Sequence, residues 1–181
     1  MKSLFSPAKN IAFMALFASL TCVCTLVIQV PLPTGGYFNV GDVFVFLAAW
    51  CLGPLYGAIA AGVGGALADL VSGYAIYAPA TLIIKAFVAV VAYMAWSFLK
   101  TYIKKEGLSF IPRLVSSFVS EMLMVAGYFF YDALLYGFAG AASGVIGNVM
   151  QGVCCSAIAV ILIIALCRAK PFKTFFPKLT K

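Results

Sequence analysis

Asp42, Asp69, Lys85, Glu121 and Asp132 stand inside strongly apolar stretches of the chain. A charge there is expensive and persists where it pairs with another or lines a cavity. Carboxylates so placed can accept hydrogen bonds from a ligand, neutralise a lysine, or act as acid or base. Other polar groups fall near them in regular patterns. Asn148 and Gln151 are three apart and so share a helix face, while Tyr128, Asp132 and Tyr136 recur at steps of four. Tyr37, Asn39 and Tyr74 lie close to the ends of apolar runs. The candidate ligand set is therefore Tyr37, Asn39, Asp42, Asp69, Tyr74, Lys85, Tyr128, Asp132, Asn148 and Gln151.

Each has a plainer reading beside the functional one. Asn39 and Asp42 are spaced as a helix cap and its third-position acceptor. Asp69 and Lys85 can form a buried structural ion pair. Tyr37, Tyr74 and Tyr77 occupy the boundary where aromatic belts form whatever the function. For Glu121 the default is a hydrogen bond to a neighbouring helix.

Several chemistries are excluded. The carboxylates fall on separate helices without a paired motif, which disfavours an intramembrane enzyme. The chain has no histidine and no Gly-Lys pair. It therefore has no serine-histidine dyad, no histidine-ligated zinc site and no phosphate loop for ATP. Cys22, Cys24, Cys51, Cys154, Cys155 and Cys167 all sit in apolar runs and read as small apolar helix residues, without a disulfide framework or metal site. No metal or cofactor is expected.

The elements that must position these groups are transmembrane helices. The chain is 65% hydrophobic and 9% charged, with a mean hydropathy of +1.11, a balance that requires lipid as the main solvent. At roughly 20 apolar residues per crossing, 181 residues allow about six crossings joined by short connections. Hydropathy and Gly/Pro punctuation predict helices near 9–30, 38–52, 54–73, 79–99, 111–137 and 143–168. The second and third meet at Gly53-Pro54, with proline opening a helix. The expectation is an all-α membrane protein, a single domain over 1–181 built as a bundle of six transmembrane helices.

With a cytoplasmic amino terminus, the inner segments carry Lys2, Lys9, Lys100, Lys104, Lys105, Arg113, Arg168, Lys170, Lys173, Lys178 and Lys181. The outer segments, around 31–37, 74–78 and 138–142, carry none. This bias of basic residues toward cytoplasmic segments predicts both termini cytoplasmic. The net charge of +7 is therefore a record of orientation, and no basic stripe indicates nucleic acid. By depth, the polar groups gather in the outer half as a cup, and no polar path crosses to the inner half as a channel requires.

Small residues mark the contacts. Gly57 to Ala68 places glycine and alanine on nearly every face of the third helix, which predicts a central position. The first helix carries a sparser stripe of Ala8, Ala12, Ala15 and Ser19, suited to internal packing or to docking another membrane protein.

The run Pro31-Leu-Pro-Thr-Gly-Gly-Tyr-Phe-Asn-Val-Gly-Asp42, then Gly53-Pro-Leu-Tyr-Gly57, Ala68-Asp-Leu-Val-Ser-Gly-Tyr74 and Ala78-Pro-Ala-Thr-Leu-Ile-Ile-Lys85 resembles the S components of energy-coupling factor (ECF) vitamin transporters. The resemblance covers residues 8 to about 168 and is most specific from Gly36 to Lys85. It implies a non-enzymatic, substrate-binding subunit in the plasma membrane of a bacterial cell. Its partners would be a transmembrane coupling subunit and two ATPase subunits. The vitamin would be captured near the outer surface, with the first loop closing over it. Within the family the chain resembles the hydroxymethylpyrimidine and pyridoxine branch, the alternative being a riboflavin-type S component. Ala8 and Ala12 match the alanine-x-x-x-alanine pattern through which such components dock. A self-sufficient small transporter is the competing reading, against which stands the lack of any repeat between the two halves.

Overall fold

The computed structural model describes residues 6–32, 36–103, 108–176 and 179. Lys2, Lys104, Lys105, Lys178 and Lys181, and positions 33–35 of the first outer segment, lie outside the described residues. The element order is α1 (Pro7–Val27), β1 (Gln29–Pro31), β2 (Tyr37–Asn39), α2 (Asp42–Val71), α3 (Ala78–Tyr102), α4 (Ile111–Leu166) and α5 (Lys170–Phe175). Among the described residues, α1 to α4 are long and apolar enough to cross a membrane.

Two of these helices are folded back on themselves. Gly53 has φ +85°, in the left-handed region open to glycine, and Pro54 follows as the first residue of the next arm. A Cβ on Gly57 would lie 2.8 Å from the Cα of Ala49, so arms 42–52 and 54–71 run antiparallel in close contact. In α4 the break is Gly137, φ +76°. A Cβ on Gly152 would fall 2.8 Å from that of Glu121, bringing together residues nearly equidistant from the break. At about 1.5 Å rise per residue a straight helix of 56 residues would far overshoot a bilayer, and the reversal removes that mismatch.

Several expected boundaries move. The first helix covers Pro7–Val27 where 9–30 was expected, because Gln29–Pro31 leaves it to pair antiparallel with Tyr37–Asn39. That strand pair was not anticipated. It also delays the second helix from position 38 to Asp42. The segment 138–142, expected as a connector, is helical, since the single glycine at 137 completes the turn. The short α5 was likewise unforeseen.

The arm 54–71 is central, as its small residues predict. Ala60, Ala61 and Ala68 have no exposed surface. Gly64 leaves no room for a side chain against α1 at Ala18, and Gly62 none against α3 at Leu82. Around it the core is built from Val45, Phe46 and Ala49 of α2, Val88 and Ala92 of α3, and Met124, Ala159 and Ile163 of α4, all fully buried. Phe87, Phe98, Leu134, Ile146 and Ile161 are more than 60% exposed on the outside of the bundle, the surface that lipid would cover.

At the end opposite the strand pair, Phe13 packs edge-on against Phe176, ring centroids 5.3 Å apart. Arg113 donates through Nη2 to the Leu179 carbonyl at 2.7 Å, so the C-terminal segment is tied to the start of α4. Ala8, Ala12, Ala15 and Ser19 lie on the exposed side of α1, away from the core. The Ser19 hydroxyl is turned back onto the Ala15 carbonyl (2.9 Å).

Candidate functional site

A cavity opens at the end of the bundle that holds the strand pair and the 72–77 turn. It is lined by groups from α1, the strand pair, α2, α3 and α4.

Its floor is an ion pair in a hydrogen-bond network. Lys85 of α3 donates to Oδ1 of Asp42, and both side chains are essentially without solvent contact. Gln151 of α4 donates through Nε2 to Oδ2 of Asp42 at 2.5 Å. The Gln151 Oε1 accepts from the Asn39 backbone N–H (2.8 Å) and from Asn39 Nδ2 (3.2 Å). Thr25 of α1 reaches Asn39 Oδ1 at 3.5 Å. Elements far apart in sequence thus converge on one satisfied cluster, the condition under which buried polar groups are tolerated.

This overturns two expectations. Lys85 pairs with Asp42 and not with Asp69, because Asp42 projects from the first turn of α2 directly at the lysine. Nor are Asn39 and Asp42 a cap and acceptor: the N-cap is Gly41, with no side-chain capping bond. Asn39 instead accepts from the Gly41 N–H (3.0 Å) in a local turn.

Two carboxylates form the walls, each held by a tyrosine. Tyr37 donates to Asp69 Oδ1 at 2.5 Å, and Tyr77 donates to Asp132 Oδ1 at 2.8 Å. Burial and then the adjacent carboxylate push both phenols above the ordinary tyrosine range, so they serve as donors. Tyr128 lies deeper, its hydroxyl 3.0 Å from Thr81 Oγ1. Asn148 completes the polar lining.

Of the expected set, Tyr37, Asn39, Asp69, Lys85, Tyr128, Asp132, Asn148 and Gln151 line the cavity. Asp42 stands behind Lys85. Tyr74 lies outside the lining and packs on Tyr37, ring centroids 4.8 Å apart. Glu121 is not part of the lining, although it lies within electrostatic reach of Lys85 and Asp42. Among the described residues neither of its oxygens has a hydrogen-bond partner, so the expected bond to a neighbouring helix is not made.

Sequence reasoning missed Thr25, Thr81, Leu32, Gly36 and Gly65 and set Tyr77 aside as belt. Thr81 had a usable signal, being one helical turn before Lys85 on the same face. Thr25 had none of comparable strength, since its partner Asn39 belongs to the unforeseen strand pair.

The fold is similar to that of the S component of a bacterial ECF transporter, with a TM-score of 0.69 over 90% of this chain and 98% of that one, at 22% identity. An uncharacterized protein of Pyrococcus woesei, in the gap 3′ region, is 34% identical over 72% of this chain and 83% of its own. The thiamine precursor transporter HmpT of Lactococcus lactis subsp. cremoris (strain MG1363) is 26% identical over 79% of this chain and 78% of its own. The family described as "ECF-type riboflavin transporter, S component" matches residues 6–168. The chain belongs to this family of ECF S components, substrate-binding membrane subunits of vitamin transporters rather than enzymes.

Proposed function

We propose that the chain captures a small heteroaromatic vitamin or precursor, hydroxymethylpyrimidine or a pyridoxine-type compound, for an ECF importer in the bacterial plasma membrane. The observation that carries this reading is the cavity itself: tyrosines, amides and carboxylates converge in an otherwise apolar bundle. Tyrosine rings offer faces and edges to an aromatic ligand, and Asn148 both donates and accepts. The thiamine precursor transporter of Lactococcus lactis supports the choice of cargo.

In the membrane the arms of α2 and α4 count separately, giving one six-helix domain with both termini cytoplasmic. Lys9, Lys100, Arg113, Arg168, Lys170 and Lys173 then face the cytoplasm, away from the cavity. ECF S components work with a transmembrane coupling subunit and ATPases. The exposed Ala8, Ala12, Ala15 and Ser19 are the surface we assign to that docking, since small residues let helix backbones approach.

A second reading, riboflavin, is favoured by the description of the matched family. Calorimetric titration of the purified chain with hydroxymethylpyrimidine, pyridoxine, thiamine and riboflavin separates the two. Submicromolar binding of one of the first two is expected. Riboflavin as the sole tight ligand would replace the first reading by the second, and no binding by any would overturn both.

A further inference from the structure

Asp69 is 4% exposed, and its two oxygens are in different situations. Oδ1 accepts from Tyr37, whereas Oδ2 is buried without a hydrogen-bond partner among the described residues. The nearby Thr81 hydroxyl is shared with Tyr128. A buried carboxylate oxygen left unsatisfied is costly, so a site that retains one in its wall is built for an incoming donor.

The charges around the cavity agree. Lys85 is the cation among the described lining residues, and it is already engaged by Asp42. Among the described residues, the hydrogen bonds into Asp69 and Asp132 come from tyrosine hydroxyls, with Thr81 also beside Asp69, and neither carboxylate is in an ion pair. A ligand that brings another anion or only acceptors would meet like charge, whereas N–H donors or a cationic ring would complete both walls.

We infer that Asp69 is the specificity-determining residue of the site, its Oδ2 accepting an N–H from the cargo, which is therefore an amino-substituted or protonated nitrogen heterocycle. This rests on the reading of the cavity as the vitamin site. It favours the aminopyrimidine type, whose exocyclic amino group always presents N–H donors, over pyridoxine, which offers an N–H only when its ring nitrogen is protonated, and over the flavin, whose one ring N–H is an imide.

The test compares 4-amino-5-hydroxymethyl-2-methylpyrimidine with the analogue bearing methyl in place of the amino group, titrated into the full chain in detergent. The amino compound should bind about 10- to 100-fold more tightly, the range of a charge-assisted hydrogen bond. Asp69→Asn should erase most of that preference while leaving affinity for the methyl analogue nearly unchanged. Tyr37→Phe keeps the carboxylate and should keep the preference. Melting midpoints show whether each variant is folded, and if Asp69→Asn does not fold, Asp132→Asn takes its place: it should keep the preference, and losing it there would overturn the assignment to Asp69. Equal affinities for the two pyrimidines, or an Asp69→Asn loss equal for both, would overturn the assignment. Tight binding of pyridoxine or riboflavin without the aminopyrimidine would also overturn it while leaving the carrier function standing. No binding at all would remove the function and this inference together.

Discussion

Asp42 and Glu121 are both wholly excluded from solvent inside an apolar bundle, but they are accommodated in opposite ways. Asp42 has a bond to each oxygen, from Lys85 and from Gln151, and sits where strand, helices and cavity meet. Glu121 has no hydrogen-bond partner for either oxygen among the described residues and lies between the two arms of α4, its side chain filling the space above Gly152. The first acid organises the chain through charge, whereas the second is held by shape. Breaking each should therefore give different costs for different reasons.

The largest effect is expected at the floor of the cavity. Lys85→Met leaves Asp42 as an uncompensated buried charge and should cost about 3–5 kcal/mol. Removing both charges, Lys85→Met with Asp42→Asn, should recover part of that loss, because an ion pair replaced as a unit leaves no orphan. Chemical denaturation in detergent measures both. A loss below about 1 kcal/mol for Lys85→Met would mean the pair is not what the floor depends on.

The contrast also marks what the sequence made legible. Helix content, the Gly53 reversal, the central small-residue arm and most of the lining follow from hydropathy, punctuation and the cost of polar groups in lipid. Partner choice does not follow. Asp69 and Lys85 looked like a pair because both lie near one end of adjacent helices. Rotation about the helix axes, fixed by contacts such as Gly65 against Lys85, gave the lysine to Asp42 instead. The strand pair was invisible for a related reason: three-residue strands carry almost no periodicity, and this one forms because Asn39 is gripped by Gln151, 112 positions away.

At Glu121 the sensitive partner is the glycine. A Cβ at residue 152 would come within 2.8 Å of the Glu121 Cβ, so Gly152→Leu must force the arms of α4 apart. Such overpacking costs typically about 1–3 kcal/mol. Glu121→Ala in the same chain should restore only the part due to the Glu121 Cγ and carboxylate, since alanine keeps the Cβ. Independent, additive losses in a double-mutant cycle would show that the two residues do not share one packing site.

Asp69 stands between the two cases, with one oxygen bonded and one not. Tyr37→Phe removes its donor and should cost about 1–2 kcal/mol at neutral pH. The pH dependence gives an independent reading. The folded state holds the Tyr37 proton above the ordinary tyrosine range, so above about pH 10 the unfolded chain binds fewer protons and stability falls as pH rises. Tyr37→Phe should shallow that alkaline fall without abolishing it, since Tyr77 is among the groups that contribute to what remains. An unchanged alkaline slope would show that Tyr37 is not the group responsible.

The smallest effect belongs to Glu121 itself. Glu121→Gln keeps the shape and removes no hydrogen bond, since neither oxygen has one. Its stability should stay within about 1 kcal/mol of the parent, whereas the same loss of charge by Asp42→Asn disturbs a network spanning α1 to α4. Glu121→Met is the sharper version: it fills a similar volume and leaves no polar atom to bury, so it should be neutral or stabilising by about 1 kcal/mol. Neither change touches the cavity lining, so vitamin affinity should remain at the parent value while Lys85→Met lowers it. A large loss of affinity in Glu121→Met would place this acid in the same functional unit as Asp42 and dissolve the distinction between charge and shape.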